Sequence, residues 1–258
     1  MTATMPDAVM WGPHYPPLRE LDGVGTAATS ALRRVRLRLT ETARDRTVLV
    51  VTGSAGSGKS FGVGRAAEHV VAKLGHQVVW VELASSASEK ALLEDLYIQV
   101  TGSEPPARTR SADLRRHLQR ALAEDPRVLI VDEAQHASSM ALRNLRWLHD
   151  KATSDFALVV VGTPNLWKTL PPEMRSRTAY HVEVDRIADA DAAKTLTALH
   201  PFFETVTPEL LADLNRQYAR GSFRWWAKFL ANGVNLVGTA GPLTVSNLWL
   251  YTADLDGA

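Results

Sequence analysis

Short apolar runs alternate with helix-like segments through most of the chain. The apolar runs occupy residues 48–52, 77–83, 128–131, 156–161 and 179–184. The segments between them space their apolar residues as helices do when one face is buried, over residues 26–44, 61–74, 88–101, 111–122 and 138–153. Since uninterrupted apolar strands are buried on both faces, the pattern predicts an α/β fold with a parallel sheet covered by helices on both sides.

Strand-like runs stop near residue 187, and the remainder of the chain is helix-like. Thr207 is followed by a proline and a glutamate, the residues that often begin a helix, and further helices are expected after residue 222 and over residues 244–255. Ser111 is likewise expected to cap the helix that begins there. We predict three parts, listed in chain order: an extended N-terminal arm at residues 1–25, an α/β domain at 26–187 and a small all-helical domain at 188–258.

A glycine-rich segment connects the first predicted strand to the next helix, and we call it the phosphate loop. It reads Gly-Ser-Ala-Gly-Ser-Gly-Lys-Ser over residues 53–60. Glycines let backbone N–H groups turn towards phosphates without a Cβ in the way, and the helix start adds its positive dipole end. In such a loop Lys59 neutralises the β- and γ-phosphates, and Ser60 supplies a hydroxyl to Mg²⁺. The segment therefore predicts a site for a nucleoside triphosphate and Mg²⁺.

Two acidic residues follow the apolar run at residues 128–131. Asp132 stands where open α/β sheets place ligand contacts, and its carboxylate is suited to hold Mg²⁺ through water. Glu133 is suited to orient and polarise an attacking water. The alternative is that both acids only cap the following helix. The upstream phosphate loop favours the metal and water roles.

Other polar residues are candidates for contact with the γ-phosphate. Thr163, or else Asn165, follows the apolar run at residues 156–161 and is placed to hydrogen-bond the γ-phosphate or the attacking water. Arg224 falls in the first turn of a predicted helix, where a cation opposes the helix dipole. This placement indicates an anionic partner, either a nucleotide phosphate or a surface carboxylate.

Two arginines stand just before the last predicted strand. Arg175 or Arg177 is a candidate to reach into the nucleotide site of a neighbouring subunit. The alternative is that both side chains lie on a solvated turn. The sequence leaves open which of the two would act.

Together these segments resemble the AAA+ ATPases, over roughly residues 45–237. Residues 53–60 are similar to Walker A and residues 128–133 to Walker B. The resemblance implies an enzyme that hydrolyses ATP with Mg²⁺, with residues 188–258 as its lid. By the same resemblance, Thr163 is similar to sensor 1, Arg177 to the arginine finger and Arg224 to sensor 2.

The site residues expected from the motifs and the resemblance form three groups. The catalytic group is Glu133, Lys59, Arg177 and Thr163. The metal-binding group is Ser60 and Asp132. The nucleotide-binding group is Gly53, Ser54, Ala55, Gly56, Ser57, Gly58, Lys59, Ser60, Phe61 and Arg224.

Three segments resemble one subgroup of AAA+ proteins in their amino-acid sequence. They are residues 131–136, 142–150 and 161–164. That subgroup contains the transposition regulators, namely the phage Mu B protein and the TnsC/TniB group, with the ExeA-type secretion ATPases as relatives. The resemblance implies ATP-dependent assembly as a homo-oligomeric ring or helical filament on non-specific double-stranded DNA, which directs a transposase to its target. Alternatives are an ExeA-type secretion ATPase, an AAA+ regulator that does not act on DNA, and a small-molecule kinase, although Asp132-Glu133 fits hydrolysis better than transfer.

The net charge of +1 gives no argument for nucleic acid, so DNA binding must depend on local clusters. Side chains repeated along an oligomer would follow the phosphates and give salt-dependent binding that tolerates any sequence. The alternative is a solvated helix face. The basic helix at residues 26–44 is a further candidate surface for DNA, anionic lipid or a partner protein. The candidate DNA contacts are Arg108, Arg110, Arg115, Arg116, Arg143 and Arg146.

The composition excludes several other classes of site. The chain contains no cysteine, which excludes disulfides, thiolate catalysis and cysteine-based zinc sites. No apolar run approaches the ~18 residues that a membrane span needs. Residues 1–22 lack the basic and apolar regions of a signal peptide. We therefore expect a cytoplasmic protein with no membrane partner.

Overall fold

The computed structural model describes residues 24–85, 87–150, 155–240 and 243–252. The chain divides into two compact units. The sheet unit comprises Ser30–Ser54 and Gly62–Val184. The helical unit comprises the described residues of Met1–Thr29, Ala55–Phe61 and Asp185–Ala258. The predicted N-terminal arm lies outside the described residues as far as residue 23, and the division of the sequence at residue 187 stays a prediction.

Five parallel strands form the sheet of the sheet unit: β1 (Val48–Gly53), β2 (Gln77–Glu82), β3 (Arg127–Asp132), β4 (Phe156–Gly162) and β5 (Thr178–Val184). Their order across the sheet is β2-β3-β4-β1-β5. Every residue of the three inner strands is buried, whereas exposed positions interrupt the edge strands β2 and β5. The uninterrupted apolar runs are the inner strands, and the predicted α/β fold is confirmed.

Seven α-helices are described in the sheet unit. They are α1 (Ser30–Asp45), α2 (Lys59–Leu74), α3 (Glu89–Thr101), α4 (Ser111–Ala121), α5 (Ser139–His149), α6 (Pro164–Thr169) and α7 (Pro172–Arg175). The first three residues of α2 belong to the helical unit. Alternate strand residues such as Val50 and Val131 share one core with α3, α4 and α5. The other strand residues face the opposite side. There α1 buries Val35 and Leu39 and contacts β1, β4 and β5.

Serine side chains cap two of these helices. Ser88 accepts a hydrogen bond from the first turn of α3, and Ser138 does the same for α5. The predicted cap at Ser111 is wrong. The Arg110 carbonyl already accepts the N–H of Leu114 at 3.1 Å, so α4 begins one residue earlier and Ser111 is its first helical residue.

The helical unit is built around an aromatic core. Its helices are α8 (Ala192–Thr197), α9 (Pro208–Leu214), α10 (Phe223–Ala240) and α11 (Leu248–Thr252). Phe203, Trp226, Phe229 and Tyr251 are fully buried there. Thr207 caps α9 by accepting the N–H of Leu210, as predicted. Among the described helices of either unit, none has the length and apolar character to cross a membrane.

Candidate active site

The backbone of the phosphate loop adopts conformations that require glycine. Gly56 has a φ of +76° and Gly58 a φ of +84°, in the left-handed region that other residues rarely adopt. A Cβ on Gly56 would lie 2.4 Å from Ser222 Oγ. Helix α2 begins directly afterwards, at Lys59. The loop therefore turns sharply just ahead of a helix start, as phosphate-binding loops do.

Two polar side chains of this loop are buried. Ser57 is 1% exposed, and its hydroxyl has no hydrogen-bond partner among the described residues. Lys59 is 7% exposed. The ion pairs described within the helical unit join Arg216 to Asp189 and Asp213, and none of them involves Lys59. Since a buried polar group without a partner costs about 1–3 kcal/mol, and a buried charge more, these groups fit an anion with several oxygens.

The start of α10 contacts the phosphate loop within the helical unit. The N–H of Phe223 donates to the carbonyl of Gly56 at 2.8 Å. A Cβ on Gly56 would lie 3.3 Å from the Cβ of Arg224, which is exposed in the first turn of α10. Arg186 donates to the carbonyls of Ala55 at 3.4 Å and Arg220 at 3.0 Å. Arg224 thus lies beside the loop, and Arg186 is a neighbour that sequence reasoning missed.

In the sheet unit, Asp132 and Glu133 lie at the carboxyl edge of the sheet. Strand β4 separates β3 from β1, and all three are parallel, so Asp132, Gly162 and Gly53 end at the same edge. Asp132 is 4% exposed, and its Oδ1 accepts the N–H of Glu133 at 2.8 Å. Helix α5 is capped by Ser138, so the two acids do not cap it.

Glu133 adopts a left-handed backbone conformation, with φ at 51°. Its carboxylate accepts a hydrogen bond from the side-chain amide of Gln135, in the 3₁₀ turn that follows. The carbonyl oxygen of that amide accepts the N–H of Thr163 at 3.1 Å. Thr163 precedes α6, and its hydroxyl makes no capping hydrogen bond, whereas Asn165 is exposed. Sequence reasoning missed Gln135, because its contact to Thr163 joins residues far apart in the chain.

The metal prediction can be compared with the available donors. Among the described residues, no group of three or more His, Cys, Asp or Glu side chains gathers to hold a metal ion. Mg²⁺ in nucleotide sites needs no such group, because it takes one or two protein oxygens and completes its shell with phosphates and water. The buried carboxylate of Asp132 and the hydroxyl of Ser60 are donors of the kind that Mg²⁺ prefers.

Arg177, the candidate arginine finger, shares a carboxylate with a candidate DNA contact. Its Nε lies 3.4 Å from Oδ1 of Asp150, while a guanidinium nitrogen of Arg146 lies 2.7 Å from Oδ2. The Arg177 side chain is 58% exposed. Both arginines therefore have an acidic partner within the sheet unit.

The arginines of α4 and α5 form what we call the arginine surface, which comprises Arg115, Arg116, Arg143 and Arg146. Arg115 donates to Asn144 at 3.0 Å and lies over the ring of Trp147. Arg116 pairs with Asp113. A cavity of about 320 Å³ opens here, and it is lined by Arg143, Asn144, Arg146, Trp147, Asp150 and Glu173. Arg143, Arg108 and Arg110 are exposed.

A histidine lies next to the strand that carries the phosphate loop. Nε2 of His181 is 2.9 Å from the hydroxyl of Thr52, and the ring stacks on Trp167 with centroids 4.2 Å apart. Burial lowers the pKa of His181. Burial thus favours the neutral form of this ring, beside the end of β1.

Comparisons with known proteins bear on the fold and the family. The fold is similar to those of Cdc6p from Pyrobaculum aerophilum (TM-score 0.67, 16% identity, 90% of this chain and 66% of that chain) and of the Aeropyrum pernix ORC2 protein in its ADP form (TM-score 0.67, 15% identity, 93% and 72%). It is also similar to Drosophila ORC bound to DNA (TM-score 0.66, 16% identity, 88% and 60%). This chain thus spans less than two thirds of the Cdc6p and Drosophila ORC chains.

Sequence comparisons give the family. A search of curated proteins finds no match. A family model described as an AAA domain matches residues 42–170, which is half of the chain and includes the phosphate loop, Asp132, Glu133 and Thr163. The chain therefore belongs to the AAA domain family.

Proposed function

We propose that this protein is an ATPase that binds DNA in an ATP-dependent way, assembles on duplex DNA and regulates a transposase. The observation that carries the ATP part is the phosphate loop. Gly56 and Gly58 turn its backbone, the Ser57 hydroxyl is buried without a partner among the described residues, and the buried residue Lys59 takes part in none of the ion pairs described within the helical unit. A triphosphate satisfies both groups with charge-assisted hydrogen bonds.

In the proposed hydrolysis, Glu133 polarises the attacking water. The water oxygen bonds to the γ-phosphorus as the bond to the β,γ-bridging oxygen breaks, and the water proton passes to the Glu133 carboxylate. ADP and inorganic phosphate leave. Thr163 orients the water or the γ-phosphate, and Arg224 and Lys59 stabilise the negative charge on the phosphates.

Ser60 and Asp132 are the residues that would hold Mg²⁺. The ion would neutralise part of the negative charge on the phosphates. The burial of Asp132 supports this role, because a buried carboxylate is stable when a cation or hydrogen bonds compensate for its lost hydration. We further propose that residues 188–258 act as the lid of this site.

The DNA part of the proposal depends on the exposed arginines and on assembly. Arg108, Arg110 and Arg143 are exposed in the sheet unit. Among the similar structures is an ORC bound to DNA. In an oligomer, the exposed Arg177 would reach the nucleotide of the next subunit, and the arginines would repeat along the phosphates. The resemblance of residues 131–136 to the transposition regulators supports a transposase as partner, acting in the cytoplasm.

Retention of the protein on duplex DNA tests the proposal. With a slowly hydrolysed ATP analogue at low salt, we expect large protein–DNA complexes by electron microscopy, and few with ADP. Glu133→Gln should form these complexes with ATP itself, because it binds ATP and does not cleave it. Equal DNA retention with the ATP analogue and with ADP would contradict the proposal.

The transposase part needs a separate experiment. An integrase-like gene adjacent to this one would identify the enzyme for a reconstituted strand-transfer assay. We expect insertions to concentrate on DNA that carries the assembled protein and ATP. Insertion frequencies that are equal with and without the protein would contradict a role in transposition.

A further inference from the structure

A short chain of hydrogen bonds crosses the carboxyl edge of the sheet and joins two predicted catalytic residues. It runs from the Glu133 carboxylate through the side-chain amide of Gln135 to the backbone N–H of Thr163. All of these residues belong to the sheet unit. Glu133 follows β3 and Thr163 follows β4, so one side chain connects the ends of two neighbouring strands.

The orientation of the Gln135 amide follows from its two partners. An ionised carboxylate only accepts hydrogen bonds and a backbone N–H only donates, so the NH₂ group must face Glu133 and the oxygen must face Thr163. Only a side chain with a donor and an acceptor at its tip satisfies both. A glutamate at this position would still accept from Thr163, but it would place a second carboxylate against Glu133.

The neighbouring backbone leaves room for this link. A Cβ at Gly162 would lie 2.6 Å from Oε1 of Gln135 and 2.7 Å from a methyl group of Leu166. The turn that carries Gln135 is anchored as well, because Ala134 is fully buried and the His136 N–H donates to the Glu133 carbonyl at 2.9 Å. Glu133 itself is held in a left-handed conformation that costs free energy in a non-glycine residue.

We propose that Gln135 is a positioning residue, which fixes the Glu133 carboxylate for water activation and couples it to the backbone of Thr163. The role in hydrolysis depends on the proposed ATPase function. Since the amide donates to the Glu133 carboxylate, it fixes the position of the group that accepts the water proton. Any shift of Thr163 on contact with the γ-phosphate would therefore be transmitted through Gln135 to the Glu133 carboxylate.

Steady-state ATP hydrolysis by variants of Gln135, measured across pH, tests the role. Gln135→Glu places two carboxylates together, and the repulsion between them favours protonation of one of them. We expect roughly a 100-fold lower kcat at pH 7, nearly unchanged ATP affinity, and recovery as the pH rises. Gln135→Ala should lower kcat by roughly 10-fold without that recovery. Gln99→Glu, the same change at an exposed position of α3, is the matched control and should behave as wild type.

A second measurement needs no turnover. Hydrogen exchange of the Thr163 amide, followed by NMR, should be faster in Gln135→Ala than in wild type and little changed in Gln135→Glu, which keeps the acceptor. Equal exchange in wild type and Gln135→Ala would overturn the link itself. Wild-type kcat and an unshifted pH profile in Gln135→Glu would overturn the positioning role. Protected Thr163 in a wild-type protein that hydrolyses no ATP would instead overturn the proposed function and leave the link standing.

Discussion

The phosphate loop and the arginine surface are both predicted to bind phosphate groups, yet their polar side chains have different surroundings. In the loop, the Ser57 hydroxyl is buried without a partner among the described residues, and the buried residue Lys59 takes part in none of the ion pairs described within the helical unit. On the arginine surface, Arg146 pairs with Asp150 and Arg115 with Asn144, although Nε of Arg146 is buried without a described partner. A buried group without a partner needs a ligand, whereas a paired surface cation does not. The loop is therefore the stronger of the two predictions.

The largest expected effect is that of Lys59→Ala. Removal of the Lys59 ammonium should weaken ATP binding by roughly 100-fold or more, because the triphosphate loses the cation of the phosphate loop. Lys73→Ala, in the last turn of the same helix, is the control and should bind ATP normally. Titration with a fluorescent ATP analogue measures both. Unchanged affinity in Lys59→Ala would remove the basis for the comparison.

Gly56→Ala tests whether the backbone of the loop depends on glycine. The new Cβ would lie 2.4 Å from Ser222 Oγ, and the alanine backbone would be strained at a φ of +76°. Gly75→Ala is a matched control, since Gly75 has a φ of +71° and nothing within 4 Å of its Cβ position. We expect a loss of about 1 kcal/mol in the control and about 2–4 kcal/mol in Gly56→Ala, from urea unfolding. Equal losses would mean that the contact with Ser222 contributes nothing.

Substitution of single arginines tests whether the arginine surface binds DNA. Arg143→Ala removes an exposed cation and should weaken DNA retention by roughly 3-fold and reduce the salt slope by about 1. Arg146→Ala removes a cation that is paired with Asp150, so its effect on both quantities should be smaller. Retention assays at several salt concentrations separate the two. A larger effect of Arg146 would show that its ion pair opens on DNA.

The smallest effect concerns the stability of the sheet unit at low pH. Burial lowers the pKa of His149, although the Arg46 carbonyl at 3.0 Å from its Nε2 partly opposes this. Because the folded-state pKa lies below the unfolded value of about 6.5, this stability is present above that pH and is lost as the pH falls. His149→Gln should flatten the fall in unfolding free energy between pH 7 and pH 5. The slope should not vanish, since burial also lowers the pKa of His76 and His181.

The sequence predicted the elements whose signal is local. The inner strands were found because nearly all their residues are apolar, and the edge strand β5 (Thr178–Val184) was found through the short run at residues 179–184. The phosphate loop was found because its glycines, lysine and serine are contiguous. The prediction of helix caps was less reliable. Thr207 caps α9 as predicted, but Ser111 lies inside α4, because one residue of shift costs little on a solvated helix start.

What the sequence did not predict depends on contacts between distant residues. Gln135 looks like any polar residue after a strand until its contact with Thr163 is known. Arg186 likewise has no motif, since its contacts within the helical unit are two backbone carbonyls. The pairing of Arg146 and Arg177 with the Asp150 carboxylate was also not predicted, because it depends on how the end of α5 lies relative to the chain before β5.

The hydrogen bond from Phe223 to Gly56 joins two main-chain atoms, so no ordinary side-chain replacement deletes it. Proline is the exception, because it lacks the donor and is nonetheless tolerated at the first residue of a helix. This tether can thus persist while the side chains around it diverge freely. The helical unit can therefore hold the phosphate loop in place whichever side chains surround this bond, and a proline at position 223 would remove the bond.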